Sequence, residues 1–449
     1  MSSQGKSRGI GVGDATLLVI GSVVGVGIFF TPQEVAAQVD GPGTYMLTWA
    51  LAGLITLLGC FTVAELAAMY PRAGGGYVYL LELVGPRWAF LFGWTGVLVG
   101  TTAGIAVVGG FFARQLAGAL PAVASLPESV PALGLIWFLA LLCASGVKLG
   151  ARFQAVCISF KLGAILVLLG AGWMLIGGLA EAALPTAKAA TVVGQPTADA
   201  GLAGIARGLL PAFFAYFGWS NISTITSELE SPQRTLPRAI VAGVVLVIAL
   251  YLALGATYLR VLGFETLATN PGFAAETARR ALGSAAGGVF QLGLAFSALG
   301  VMLAGILVSP WLYVAMARSG DFFTSLGWTH PRTRAPIPAT TVQALGATAW
   351  YLHGDTSLAI DTVSYVTWIL DVVMVGGLVW AIRSRPNLER PYRSPLDPWI
   401  PRLYLGVSAV LLVVVTLTSS RELLMAAGAM FASGFAIYTP WRRWVVRSG

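Results

Sequence analysis

Charge is scarce in this chain. Only 10% of its 449 residues are Asp, Glu, Lys or Arg, against roughly 25% in an ordinary soluble domain, too few to cover a water-soluble surface of this size. Cysteine and histidine are scarcer. Cys60, Cys143 and Cys157 lie far apart in apolar surroundings, which reads as buried, inert thiols and not as disulfides or metal ligands. His330 and His353 are the only histidines, which excludes a His-rich metal site. The sequence has no cluster of nucleophiles, carboxylates or metal ligands of the kind an enzyme needs, and no ATP-binding motif. Catalysis, a bound cofactor and primary pumping are therefore not expected. A cleavable leader is not expected either. The polar N-terminus with Lys6 and Arg8 runs into a Gly-rich apolar stretch that has no small-x-small cleavage site, so that stretch reads as a first membrane helix.

What is present is apolar, and it comes in blocks. Hydrophobic residues make up 57% of the chain, and a bilayer core needs about 20 of them per helix. The blocks predict an all-α integral membrane protein with about twelve spans. The first five run Ala15–Gln38, Tyr45–Tyr70, Trp88–Leu116, Leu133–Val147 and Ala155–Leu179. The next five run Leu202–Ser227, Ala239–Leu262, Gly287–Ala317, Ala339–His353 and Leu358–Ile382, and Leu403–Thr418 and Leu423–Tyr438 follow. The loops are short, which leaves one polytopic domain over the whole chain. The net charge of +8 does not point to nucleic acid, because the basic residues lie between apolar blocks and form no stripe with interleaved aromatics. With the N-terminus placed in the cytoplasm, 19 of the 27 Lys and Arg fall on the cytoplasmic side, 7 on the outer side, and Lys161 inside a span. This bias predicts both termini in the cytoplasm of a cell membrane.

Two spans carry glycine and small polar residues in mid-membrane. The first contains Gly21-Ser-Val-Val-Gly25-Val-Gly27-Ile-Phe-Phe, and the sixth contains Phe213-Phe-Ala-Tyr-Phe-Gly218-Trp-Ser-Asn. Glycine costs a helix interior about 1 kcal/mol relative to alanine, and unwound backbone survives in lipid only where protein or a polar cavity satisfies it. Two such breaks five spans apart suggest an inverted-repeat transporter, whose half-helix ends hold a solute near the midplane. Free amides at a half-helix end favour a carboxylate, and free carbonyls favour an ammonium group, so an amino acid suits the physics. Close helix packing through Gly21-x-x-x-Gly25 is the competing explanation.

Two charges lie inside spans. Lys161 is flanked by apolar sequence in the fifth span, and Asp371 is near the middle of the tenth. Charges at that depth are costly and mark function by default, which makes both candidates for coupling. Snorkelling to the surface is the plainer account of Lys161. Glu65 and Glu228 lie nearer span ends, where pairing with loop arginines is expected.

Five stretches taken together resemble a known family, the amino acid–polyamine–organocation transporters, with features of its L-type and cationic amino acid branches. They are Gly21 to Pro32, Glu65-Leu-Ala-Ala-Met-Tyr-Pro-Arg-Ala-Gly-Gly-Gly-Tyr-Val-Tyr79, and Phe213 to Gly218 followed by Glu228 and Ser231-Pro-Gln-Arg-Thr-Leu-Pro237. The last two are Ala315-Met-Ala-Arg-Ser-Gly320 and Arg390-Pro-Tyr-Arg393. The resemblance covers nearly the whole length. It implies a five-plus-five inverted repeat of the leucine-transporter-like kind, with spans 1 and 6 unwound, one repeat over residues 15–179, the other over 202–382, and two additional helices over 403–438. It implies that the substrate carboxylate meets amides around Gly25, Val26 and Gly27. The amino group would meet carbonyls near Val23, Phe214 and Phe217, with Ala215 in the same stretch and Phe214 as an aromatic gate. Lys161 matches a lysine of members that work without sodium, which leaves proton symport or exchange open.

The departures shape the expected substrate. Phe217 stands where the L-type branch usually has a small residue, which shrinks the pocket. Ser220 is neutral where the cationic branch has an acid. A small neutral amino acid is therefore expected, with a cationic amino acid or polyamine exchanger, or an amino acid sensor on the same fold, as the alternatives. The L-type branch often pairs with a single-span glycoprotein through a cysteine in the loop between spans 3 and 4. This chain has none there, so no disulfide-linked partner is expected.

Overall fold

The structure, a computed structural model, describes residues 11–71, 74–145, 162–173, 201–218, 231–385 and 387–448. Among them it contains helices and no strand. The chain opens with α1 (Val12–Val23), which breaks before the six-residue α2 (Thr31–Ala36). It continues through α3 (Pro42–Met69), the short α4 (Gly76–Leu83), α5 (Pro86–Thr95) and α6 (Thr102–Ala119). A π-helical turn over Gly96–Gly100 joins α5 to α6. Next come α7 (Ser129–Ser145), α8 (Leu162–Trp173) and α9 (Leu202–Tyr216). The second half holds α10 (Pro232–Leu262), the two loop helices α11 (Phe264–Thr269) and α12 (Phe273–Leu282), and α13 (Ser284–Val308). It closes with α14 (Pro310–Arg318), α15 (Ile337–His353), α16 (Thr356–Ser384), α17 (Trp399–Thr418) and α18 (Arg421–Ser448).

Local chemistry sets many of the boundaries. Pro42, Pro86, Pro232 and Pro310 each open a helix, where the missing N–H is no loss and the fixed φ suits the first turn. The α16 N-terminus is capped by Asp355, whose carboxylate accepts the Leu358 amide at 2.8 Å, satisfying one of the orphan donors of a helix start.

Seven described helices are long and apolar enough to cross a membrane, and four shorter apolar helices accompany them. The described helices overlap each predicted span, with part of the fourth, fifth and sixth lying outside the described residues. The surface agrees with a lipid environment. Leu141, Leu166, Val289, Val410 and Leu417 are exposed, Leu417 to 80%, and they are scattered over many helices, as in a protein whose outer face meets acyl chains. This is a multi-pass membrane protein. The interior is built on large side chains: Tyr45, Trp49, Tyr216, Tyr251 and Tyr258 are all almost fully buried, and edge-to-face contacts link Trp49 to Tyr45, Tyr216 and Tyr251. This aromatic group joins α3, α9 and α10 behind the two helix breaks.

Candidate functional site

The first break is a sharp turn and not a gradual fraying. At Val24 the backbone adopts φ −67° and ψ 78°, and the Gly25 amide turns back onto the Val23 carbonyl at 2.6 Å. That is an inverse γ-turn, and it takes the chain off the helical path. A 3₁₀ turn over Gly27–Phe29 then leads into α2. The Val26 and Gly27 amides donate to no acceptor among the described residues. Two adjacent backbone donors without partners inside a membrane protein are what an anionic group would complete.

The second break begins where α9 ends. Phe217 is extended, at φ −64° and ψ 158°, and Gly218 has φ +107°, a conformation that glycine adopts at little steric cost. A Cβ on Gly218 would also lie 2.5 Å from the Ser22 carbonyl oxygen. The two breaks therefore touch through backbone. Gly27 repeats the theme, since a Cβ there would sit 3.0 Å from the Ala215 Cα. Gly25 differs: its nearest neighbours would be 3.7 Å or more from an added methyl.

A side chain from a third helix ties the breaks together. Tyr251 of α10 is fully buried, and its hydroxyl reaches the Val23 carbonyl at 3.1 Å and the Ala215 carbonyl at 3.0 Å. One proton is shared between the exposed carbonyl ends of two broken helices. Tyr258, two turns further along α10, donates to the Ile28 carbonyl at 3.4 Å. In front of the breaks stands an aromatic row. Phe30 lies 5.4 Å from Phe111 of α6 and 5.8 Å from Phe214, and Phe214 lies 6.3 Å from Phe217. Val301 of α13 approaches the Gly25 position at 4.0 Å.

The structure thus gathers Val23, Gly25, Val26, Gly27, Phe214, Ala215 and Phe217 into one region. Lys161 and Ser220 lie outside the described residues. Asp371 is set apart. It lines a cavity on the other face of α9, enclosed by α3, α9, α16 and α17, with Phe213, Tyr216 and Phe217 on one wall. Tyr251, Phe30, Phe111 and Val301 were not anticipated from sequence. A tyrosine in an apolar run looks like any other core aromatic, and only the helix crossing reveals which carbonyls its hydroxyl meets.

Two of the quoted motifs meet away from the breaks. Glu65, near the end of α3 and fully buried, accepts from the Arg390 guanidinium. It also accepts from the Ser394 amide at 3.1 Å and the Ser394 hydroxyl at 3.0 Å. Arg390 binds Asp397 with its other two nitrogens at 3.0 and 2.6 Å. The expected pairing of Glu65 with a loop arginine is found here; Glu228 lies outside the described residues.

Comparison with known proteins shows which family this chain resembles along its length. The chain is 27% identical over 434 residues to the b(0,+)-type amino acid transporter 1 of Mus musculus, covering 96% of this chain and 87% of the relative. It is 27% identical over 407 residues to the cystine/glutamate transporter of Homo sapiens, covering 90% and 79%. It is 30% identical over 412 residues to the Asc-type amino acid transporter 1 of Mus musculus, covering 90% and 76%. These relatives are named as transporters and not as enzymes. The profile described as amino acid permease matches residues 10–440, nearly the whole chain, and the chain belongs to that amino acid permease family.

Proposed function

We propose that this chain is a sodium-independent secondary transporter of small neutral amino acids, working by proton symport or by exchange. The observation that carries the reading is the meeting of two broken helices, with Val26 and Gly27 amides that have no partner among the described residues on one side and the carbonyl ends of α1 and α9 joined by Tyr251 on the other. The amides suit the carboxylate of an amino acid, and the carbonyl ends suit its ammonium group. Phe214 and Phe217 bound the side-chain space, and the bulk of Phe217, with the neutral Ser220 three residues later in the sequence, favours a small uncharged side chain. Lys161, which matches a lysine of family members that work without sodium, is the candidate for the charge that replaces a sodium ion. The twelve-span, five-plus-five arrangement, the cytoplasmic termini and residence in the cell membrane belong to the same reading. So does activity without a disulfide-linked partner, since Cys60 and Cys143 are buried and the loop between α6 and α7 has no cysteine.

The test is uptake of a labelled amino acid mixture by the pure protein in liposomes. One set of vesicles carries an inward proton gradient, another is loaded with unlabelled amino acid, and sodium is absent from both. Uptake of alanine, serine or glycine under either condition is expected, and Tyr251→Phe should weaken the apparent affinity. A requirement for sodium, or preference for lysine or arginine over alanine, would overturn the respective parts. Substrate binding without any uptake would make the chain a sensor.

A further inference from the structure

We propose that the cavity behind the α9 break is a hydrated proton site, in which Asp371 takes up and releases a proton and the break responds to its charge. The use of that proton in transport rests on the reading above; the existence of the site does not.

Asp371 sits at the middle of the 29-residue α16, at the depth where an ionisable group is expensive and kept only for a purpose. It is half-buried, and its carboxylate has no ion pair and no hydrogen bond among the described residues. Yet it is not sealed in apolar packing. It lines a cavity of about 40 Å³, above the roughly 10–15 Å³ needed to admit a water. The wall offers water several partners: Thr56, Ser364, Tyr216 and Tyr404 all carry hydroxyls there. The Ser364 hydroxyl donates to its own helix at the Ile360 carbonyl, 2.9 Å away, which leaves its lone pairs to accept from water.

No other charged side chain lines the cavity among the described residues. The titratable groups that face Asp371 are Cys60 of α3 and Tyr404 of α17, with Tyr216 of α9 on the opposite wall. Glu65 of α3 is engaged by Arg390. On the other helices against α16, Arg114 of α6 is paired with Glu128, and Tyr77, Tyr79 and Glu82 of α4 do not line the cavity. Asp371 is thus the group in this space suited to exchange a proton with water. The step is a proton transfer alone. A proton from cavity water forms an O–H bond on one carboxylate oxygen and gives the neutral acid, and release returns it to water.

The geometry also supplies the link to the break. The opposite wall is Phe213, Tyr216 and Phe217, the last turn of α9 and the residue at which it unwinds. Phe213 packs on Trp368, one turn before Asp371 on α16, with ring centroids 4.6 Å apart. The C-terminal end of a helix carries partial negative charge on its free carbonyls. An ionised Asp371 repels that end, and protonation removes the repulsion. Substrate binding at the break and proton binding at Asp371 are then linked, and by thermodynamic necessity each changes the affinity of the other by the same factor.

The experiment has two arms on the purified full chain. In the first, the carboxyl stretch is followed by infrared difference spectroscopy across a pH titration, without substrate. A band that changes with pH in the parent protein and is missing in Asp371→Asn is expected, and Asp371→Glu should restore a shifted band. No pH-dependent band attributable to residue 371 overturns the site. In the second, the affinity for alanine is measured by scintillation proximity at acid and alkaline pH. A change of about fivefold or more is expected in the parent, the lower end of ordinary coupling between sites, with none in Asp371→Asn and a retained change in Asp371→Glu. Equal pH dependence in parent and Asp371→Asn overturns the coupling. If alanine does not bind while the infrared band behaves as expected, the substrate assignment fails and the proton site stands.

Discussion

Glu65 and Asp371 are both carboxylates inside the helix bundle, and their surroundings are opposite. Glu65 is enclosed by donors: the Arg390 guanidinium, the Ser394 amide and the Ser394 hydroxyl. Asp371 faces hydroxyl-bearing side chains across a small cavity and binds none of them directly. A fully paired carboxylate holds pieces of chain in place, here α3 against a segment 325 residues later. A carboxylate left to water is free to change its charge. The same residue class therefore serves as a clasp in one region and is proposed as a proton site in the other, and the difference lies in the donors around it.

Four substitutions test that contrast and the corresponding one between the glycines of the two breaks. Glu65→Ala should have the largest effect on stability. It removes the acceptor for Arg390 and for the buried Ser394 amide, and breaking a buried ion pair costs about 3–5 kcal/mol. Thermal unfolding in detergent should fall by many degrees, and near-parent stability would mean that Asp397 alone suffices to hold Arg390.

The next effect in size compares glycines at the two breaks. Gly218→Ala should cost about 1–3 kcal/mol, because the residue holds a positive φ and the added methyl meets the Ser22 carbonyl. Gly25→Ala, with no neighbour closer than 3.7 Å, should fold normally and impair substrate binding. Equal loss of folded protein in both, read by size-exclusion profile and melting temperature, would assign Gly25 to packing.

Asp371→Asn should have the smallest effect on stability, below about 1 kcal/mol, since no buried donor loses its acceptor. A destabilisation as large as that of Glu65→Ala would show that Asp371 is a second clasp.

Much of this architecture was legible in the sequence. The spans could be read because lipid demands long apolar runs. The breaks could be read because Gly25, Gly27 and Gly218 weaken a helix wherever they stand. Harder to see was that the glycines differ in role: Gly27 and Gly218 admit the facing backbone, whereas Gly25 has room around it. The expected pairing of Glu65 with a loop arginine was legible, but not the identity of Arg390. Tyr251 and the cavity beside Asp371 were not legible at all. Each depends on which faces of distant helices meet.

The sequence by itself determined that this chain lives in a membrane, that it is helical, and that two of its helices cannot run unbroken. Those properties follow from local terms: the transfer of apolar side chains out of water, the need to satisfy backbone polar groups in lipid, and the conformational freedom of glycine. Only the tertiary structure decided that the Tyr251 hydroxyl joins the Val23 and Ala215 carbonyls, that Arg390 closes on Glu65, and that Asp371 opens onto the back of the α9 break. Such pairings turn on distances of a few ångströms between residues far apart in the chain, and hydrogen bonds form only at that range.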